Sequence, residues 1–347
     1  MERESKPKSR AVLSLPFLSQ SGDSAVERRT FVIVATLNLL VAGASRAQEP
    51  AKHYRLAIIS TGNPRSTAFY VAFEARLREL GWIDGKNLTV DFEIGESPEQ
   101  LSTIATRMVQ HGVDVIVTVG PESTLKAASD ATRTIPIVNV ALNYDPVEKG
   151  YVTSLARPGR NITGVFFRNL EVGPKQLEFL RQAIPRANRI GVLWTGFSAD
   201  QIPPLDAEAS RLRVRLEKVK LDLPYDIEGT FTSLKARGVD AVLAVGDPVV
   251  YRERVRIAKA GLERGLAVVG GLWGAELGFL IGFGPDLNAA LRSGAGYVDR
   301  ILRGAKAAEM PIEQPTKFEL MINMKTAKAL GLSIPQSLLL RADGVIQ

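Results

Sequence analysis

Tyr54-Arg55-Leu56-Ala57-Ile58-Ile59-Ser60-Thr61 is a continuous apolar run of strand length. Runs of this kind suit a strand covered on both faces, as in a parallel sheet. The period changes immediately afterwards. Phe69, Ala72, Phe73, Leu77 and Leu80 recur at helical spacing, and the pattern stops at Gly81, a residue that ends helices at little steric cost. The alternation then continues, with a strand expected over Asn87–Ile94 and a helix face of Leu101, Ile104, Ala105, Met108 and Val109. A strand over Val113–Val119, a short helix after Gly120-Pro121 and a strand over Ile135–Leu142 follow. Strand and helix in strict succession predict a parallel sheet with helices on both faces.

After residue 168 the pattern restarts. A helix around Lys175–Ile184 leads to a strand over Arg189–Thr195, and a helix near Asp206–Arg213 to a strand near Arg215–Leu221. Val239–Gly246 reads as a buried strand. Val249–Leu262 reads as one helix whose inner face is Tyr251, Val255, Ala258 and Leu262, and Leu266–Gly270 as the next strand. The expected fold is therefore α/β: two Rossmann-like lobes, each with a parallel sheet. Phe279–Phe283, Leu287–Leu302 and Phe318–Asn323 are too little for a third domain, so they are expected to complete the two lobes by crossing between them. Three crossings make a hinge. On this reading one lobe comprises residues 53–165 and 284–315, the other 166–283 and 316–347.

Residues 1–47 stand apart. Arg28-Arg29 precedes an apolar stretch, Phe31–Ala42, and the small residues of Gly43-Ala44-Ser45-Arg46-Ala47 follow. This is the layout of an export signal cleaved after Ala47; the stretch falls short of the ~20 apolar residues that span a bilayer. Arg28-Arg29-Thr30-Phe31 resembles a twin-arginine signal. Residues 1–25 are polar and aperiodic, and a start at Val26 would leave them untranslated. A periplasmic location follows as an expectation.

Composition narrows the function classes. The chain carries 44 Lys/Arg against 37 Asp/Glu, a net +7. Seven basic and four acidic residues belong to residues 1–47, leaving a mild, dispersed +4 in the remainder. No concentrated basic stripe marks a nucleic-acid binder. Cysteine is absent, which excludes disulfides, a thiolate nucleophile, a Cys-based zinc site and a lipid-anchored N-terminus. The two histidines read as surface or capping residues: His53 beside the expected mature N-terminus, His111 at a helix end before Gly112. Most nucleophile–base pairs are thus unavailable. Gly282-Phe283-Gly284 is a fragment of a dinucleotide-binding motif, placed too late in the chain. No enzyme, cofactor or metal is expected.

Several segments together carry a family likeness. They are Leu77-Arg78-Glu79-Leu80-Gly81-Trp82 with Gly85-Lys86-Asn87-Leu88, Ile135-Pro136-Ile137-Val138, and Asp145-Pro146-Val147 running to Ser154-Leu155-Ala156-Arg157-Pro158-Gly159-Arg160-Asn161-Ile162-Thr163-Gly164. Tyr297–Ala305, Gln314-Pro315-Thr316-Lys317-Phe318-Glu319-Leu320 and Lys325–Leu332 extend it to the C-terminus. The chain resembles the ABC-transporter substrate-binding proteins of the tryptophan/tyrosine type, whose fold is the type I periplasmic binding protein. The resemblance implies a receptor that captures a small organic solute, an amino acid or similar, between two lobes; a monomer is expected. It also implies delivery to an ABC permease and its ATPase. A binding protein that partners a membrane signalling receptor is the alternative reading.

In open α/β sheets, ligands bind beyond the carboxyl ends of the strands. Those ends supply the candidate ligand-binding residues Asn63, Gly120, Ser123, Thr124, Asn143, Tyr144, Asp145, Asp247 and Trp273. Gly120 to Thr124 suits an anion: glycine admits a ligand to the backbone, the first N–H groups of the helix are free, and two hydroxyls add donors. Plain helix capping reads equally well, and Glu122 counts against an anion unless it points to solvent. Asn143, Tyr144 and Asp145 could contact polar or cationic parts of a ligand, although Asp145-Pro146 is also a turn signal. Asp247 is either an N-cap or the partner of a ligand ammonium. Trp273 either stacks on a ring or packs beneath its own loop. Gly270-Gly271-Leu272-Trp273 departs from the more polar stretch usual in the family.

Overall fold

The computed structural model describes residues 52–347 apart from Asn143, Arg168 and Thr316; the signal read over 28–47 and the candidate Asn143 lie outside the described residues. The apolar run at Tyr54 forms β1 (Tyr54–Ser60) and is followed by α1 (Ala68–Glu79), β2 (Leu88–Ile94), α2 (Pro98–Gln110), β3 (Val115–Gly120), α3 (Glu122–Ala131), β4 (Ile137–Leu142) and β5 (Ile162–Phe167). These strands make one parallel sheet in the order β2-β1-β3-β4-β5. Alternation along β1 supplies both faces. Leu56 and Ile58 meet α1 through Phe69, Phe73 and Leu77, whereas Ala57 and Ile59 meet α2 and α3 through Leu101, Ile104 and Leu125. Both faces are dry, which is why the sequence shows a continuous apolar run.

The second lobe is built from α4 (Val172–Ala183), β6 (Arg189–Trp194), α5 (Ile202–Leu212), β7 (Arg215–Lys220), α6 (Ile227–Ala236), β8 (Ala241–Ala244), α7 (Pro248–Arg252), α8 (Arg254–Glu263), β9 (Ala267–Gly270) and β10 (Ile281–Pro285). The chain then returns to the first sheet with α9 (Leu287–Leu302), whose Leu291, Ala295 and Val298 join the core of α1. It crosses back to finish with β11 (Phe318–Asn323), α10 (Met324–Ala329), α11 (Gln336–Leu339) and β12 (Gly344–Ile346). The second sheet runs β12-β11-β10-β9-β8-β6-β7. It is parallel except where β10 meets β11 antiparallel. Phe166 and Phe167 still pair in the first sheet, and Gly284 and Pro285 in the second, so one crossing follows Phe167 and another falls at Asp286. The third follows Glu313, which bridges to Val165 at the edge of the first sheet.

Two readings need correction. Ile162–Phe167 is a fifth strand that the sequence pattern did not mark, because Gly164 interrupts its apolar run. The helix expected over Val249–Leu262 is two helices, α7 and α8, meeting at Glu253. The change of direction rotates the second part: Val255 is 57 % exposed and Leu262 37 %, while Ile257, Ala258 and Ala260 are buried. Val255→Ser is accordingly expected to change stability by no more than about 0.5 kcal/mol. Ile257→Ala should cost about 2–5 kcal/mol, and urea denaturation of the two variants checks the contrast.

Candidate functional site

Strand ends of both lobes meet across a cavity of about 80 Å³. Its walls are aromatic. Phe69 and Tyr70 come from α1, Phe197 from the turn after β6, Tyr251 from α7, Trp273 from the loop after β9, and Phe283 from β10. The rings form a relay from one lobe to the other. Tyr70 and Phe69 lie 4.6 Å apart by ring centroids, Phe69 and Tyr251 5.3 Å, Tyr251 and Trp273 5.2 Å, and Trp273 and Phe279 5.6 Å. Tyr251 belongs by chain to the second lobe but is buried within the core of the first. Arg252 beside it reaches Glu96 of the first lobe at 3.5 Å. The two lobes are therefore in contact over the cavity.

Trp273 packs against Tyr251 and Phe279, and it also lines the cavity. The paired glycines before it have a steric reason. A Cβ on Gly271 would stand 2.3 Å from Trp273 Nε1, and one on Gly270 would stand 2.8 Å from the Phe279 ring. The indole folds back over its own loop only because Gly271 has no side chain, and the bare Gly270 makes room for Phe279.

Asp247 lines the cavity as an N-cap. One carboxylate oxygen accepts from the N–H groups of Val249 and Val250, both within 2.9 Å, and the other from the hydroxyls of Thr195 and Ser198 at 3.0 and 2.8 Å. Burial pushes its carboxyl up from the ordinary range, and these four bonds oppose that shift. Asn63 is buried and lines the same cavity, its amide donating to the Thr61 carbonyl at 3.3 Å. Gly120 sits at the end of β3 with φ +120°, next to Thr61.

The other candidates face elsewhere. Ser123, Tyr144 and Asp145 line an outer depression that meets the cavity at Pro121 and Phe197. The Tyr144 hydroxyl turns into its own lobe and donates to Asn139 Oδ1 at 3.0 Å, and burial raises that phenol well above its ordinary range. One oxygen of Asp145 accepts from the N–H groups of Val147 and Glu148, a turn. Thr124 is fully buried, and its hydroxyl donates to the Pro121 carbonyl at 2.8 Å. Pro121 is the residue just before the helix, with extended backbone. Glu122 is drawn away from the α3 terminus by the Tyr151 hydroxyl and Lys149 Nζ, each at 3.0 Å.

Sequence reasoning missed much of the wall. Phe69 and Tyr251 were read as core positions, and they fill the core and the cavity wall together. Gln176 donates to the Phe283 carbonyl at 2.7 Å, and Gln201 to that of Gly246 at 2.9 Å. The signal was available for Gln176: an uncharged polar residue in the inner stripe of α4, between Gly173 and Leu180.

With two wound lobes closing on one cavity, the comparison with known proteins becomes specific. Residues 61–346 match the model of the family described as ABC transporter substrate binding protein. This chain belongs to that family. The family is one of solute-binding proteins and not of enzymes. Among curated relatives, a tyrosine-binding protein of Clostridioides difficile (strain R20291) is 25% identical over 266 residues, 75% of each chain. Two solved structures superpose over 85% of this chain and all of their own. One is an ABC domain in complex with L-Trp from Streptococcus pneumonia (TM-score 0.73, 23% identity), the other a conserved domain protein from Vibrio cholerae (0.74, 25%). The fold is that of type I periplasmic binding proteins, shared at 13% identity with a leucine-binding protein of Thermotoga maritima (TM-score 0.54).

Proposed function

We propose that this ABC-type substrate-binding protein is an exported receptor that captures a small aromatic solute between its lobes and presents it to a membrane permease. The observation that carries the reading is the aromatic wall: six aromatic side chains from both lobes line one cavity. Such a wall rewards a flat apolar ligand through burial and edge-to-face contacts, each worth about 0.5–1.5 kcal/mol beyond area alone. The ligand touches both lobes, so it favours the closed arrangement, and closure is the hinge motion expected of a three-crossing waist. The tyrosine and tryptophan named for two relatives belong to the same chemical class. Export of a monomer through the signal at 28–47 and cleavage near Ala47 complete the proposal. Among the described residues no helix is long and apolar enough to cross a membrane.

A thermal-shift panel tests it. Indole, phenol and phenyl compounds should raise the melting temperature, since a ligand at 100 times its Kd adds about 2.7 kcal/mol. Sugars and aliphatic amino acids should not. A larger shift with a sugar or an aliphatic amino acid would remove the aromatic reading.

A further inference from the structure

The aromatic reading leaves open what the ring carries, and the cavity's polar groups bear on that. Resting on that reading, we propose that the preferred solute is an aromatic carboxylate without an α-ammonium group, of the arylpropionate type, and not the corresponding amino acid.

The cavity lacks a partner for a cation. Asp247 is the one charged side chain among the described residues lining the cavity. A carboxylate offers about four lone-pair directions, and Asp247 fills them with Val249, Val250, Thr195 and Ser198. Nothing is left for an ammonium. Asn143, Arg168 and Thr316 carry no carboxylate either. In the outer depression Glu122 is taken by Tyr151 and Lys149, and Asp145 by its own turn; Asp200 lines that depression and not the cavity. Apart from Asp247, whose oxygens are taken, an ammonium in the cavity would find only neutral acceptors among the described lining residues, and a buried charge without a counter-charge is strongly penalised.

Helix α3 has ten residues, and the Gly120-Pro121 turn that leads into it lines the cavity. Its first N–H groups lack intrahelical partners, and the helix dipole favours negative charge there. An independent feature stands next to it. Thr61 is 2 % exposed and lines the cavity, and its hydroxyl has no hydrogen-bond partner. That oxygen lies 3.7 Å from the Cβ position of Gly120, beside the turn that leads into the helix. Buried hydroxyls are ordinarily satisfied, and an orphan one beside a helix N-terminus is accounted for by a bound acceptor. Glu122, the residue that would repel an anion, is held away.

Isothermal titration calorimetry on the purified protein decides the matter. The compounds are 3-(indol-3-yl)propionate against L-tryptophan, 3-(4-hydroxyphenyl)propionate against L-tyrosine, and tryptamine and tyramine as the cationic counterparts. Each acid should bind at least tenfold more tightly than its amino acid, and the amines should give no binding. Thr61→Val, which keeps the side-chain shape, should weaken the acids at least tenfold while circular dichroism shows the fold intact. An amino acid that equals or exceeds its acid, or an amine that binds more tightly than the acid, overturns the inference and leaves the aromatic reading standing. Unchanged acid affinity in Thr61→Val also overturns it, by removing the anion from that spot. Failure of every aromatic compound overturns both.

Discussion

Gly164→Ala is expected to lower the melting temperature by about 10 °C or more, and Gly296→Ala to raise it. The first position lies inside β5, in register with Asn139 of β4. A Cβ there would sit 2.1 Å from the Asn139 carbonyl oxygen and 2.7 Å from its amide nitrogen. Those are main-chain atoms, so no side-chain rotation relieves the clash. Asn139 is also pinned, since its Oδ1 accepts from Thr118 at 2.9 Å and Tyr144 at 3.0 Å. The φ of Gly164 is +137°, a region open to glycine and strained for alanine. Clash and strain together place the loss near 4 kcal/mol, the range reserved for a named structural fault. Each kcal/mol moves the midpoint by about 2–4 °C in a domain of 150–250 residues. Gly296 lies within α9, and a Cβ there meets nothing within 4 Å. Alanine in a helix interior is better than glycine by about 0.5–1 kcal/mol. Thermal denaturation of both variants checks the pair, and shifts of the same sign would refute the argument.

Asp247→Ala is the second large effect, with about 3 kcal/mol of stability lost and ligand capture impaired. Removing the cap of α7 costs about 1–2 kcal/mol. It also strands buried donors, the N–H groups of Val249 and Val250 and the hydroxyls of Thr195 and Ser198, and each unsatisfied buried group adds about 1–3 kcal/mol before relaxation. The loss is greater than for an ordinary cap because two loops hang on one carboxylate. The Ser198 hydroxyl that donates to Asp247 also accepts the Thr195 N–H at 3.1 Å, so the turn carrying Phe197 loosens together with the helix carrying Tyr251. Asp247→Asn retains an oxygen for the two N–H groups, and the Thr195 and Ser198 hydroxyls can turn to accept from its amide, so about 1 kcal/mol should be lost. Urea midpoints of wild type, Asp247→Asn and Asp247→Ala should fall in that order, and equal midpoints for the two variants would count against the double-loop explanation.

The fold was legible where burial is two-sided and helices end on a signal. β1 and α1 follow from the run at Tyr54 and the stop at Gly81, and His111 does end α2. Legibility failed where one residue serves two demands. Gly164 breaks the apolar pattern of β5 because a neighbouring backbone occupies the space of its side chain. Glu253 separates α7 from α8, yet no proline or glycine announces the break. The site was harder still. Helical spacing identifies Phe69 and Tyr251 as inward-facing, but inward includes both a packed core and a cavity, and periodicity cannot separate them. Asp247 was legible as a cap, whereas the number of its partners is a tertiary property: Thr195 and Ser198 lie far from it in sequence. Thr61 stood at a strand end in plain view; only its unmatched hydroxyl sets it apart.

Helix α9 has a consequence for synthesis. It covers the flank of the first sheet, where Gly294 faces Val140 and Phe73, yet it is encoded after nearly the whole second lobe. A polypeptide still emerging from the ribosome therefore keeps a sticky, half-clad first lobe until translation is almost finished. Fragments truncated before Leu287 should precipitate, and a gene divided between the lobes at residue 168 should not yield two independently folding products.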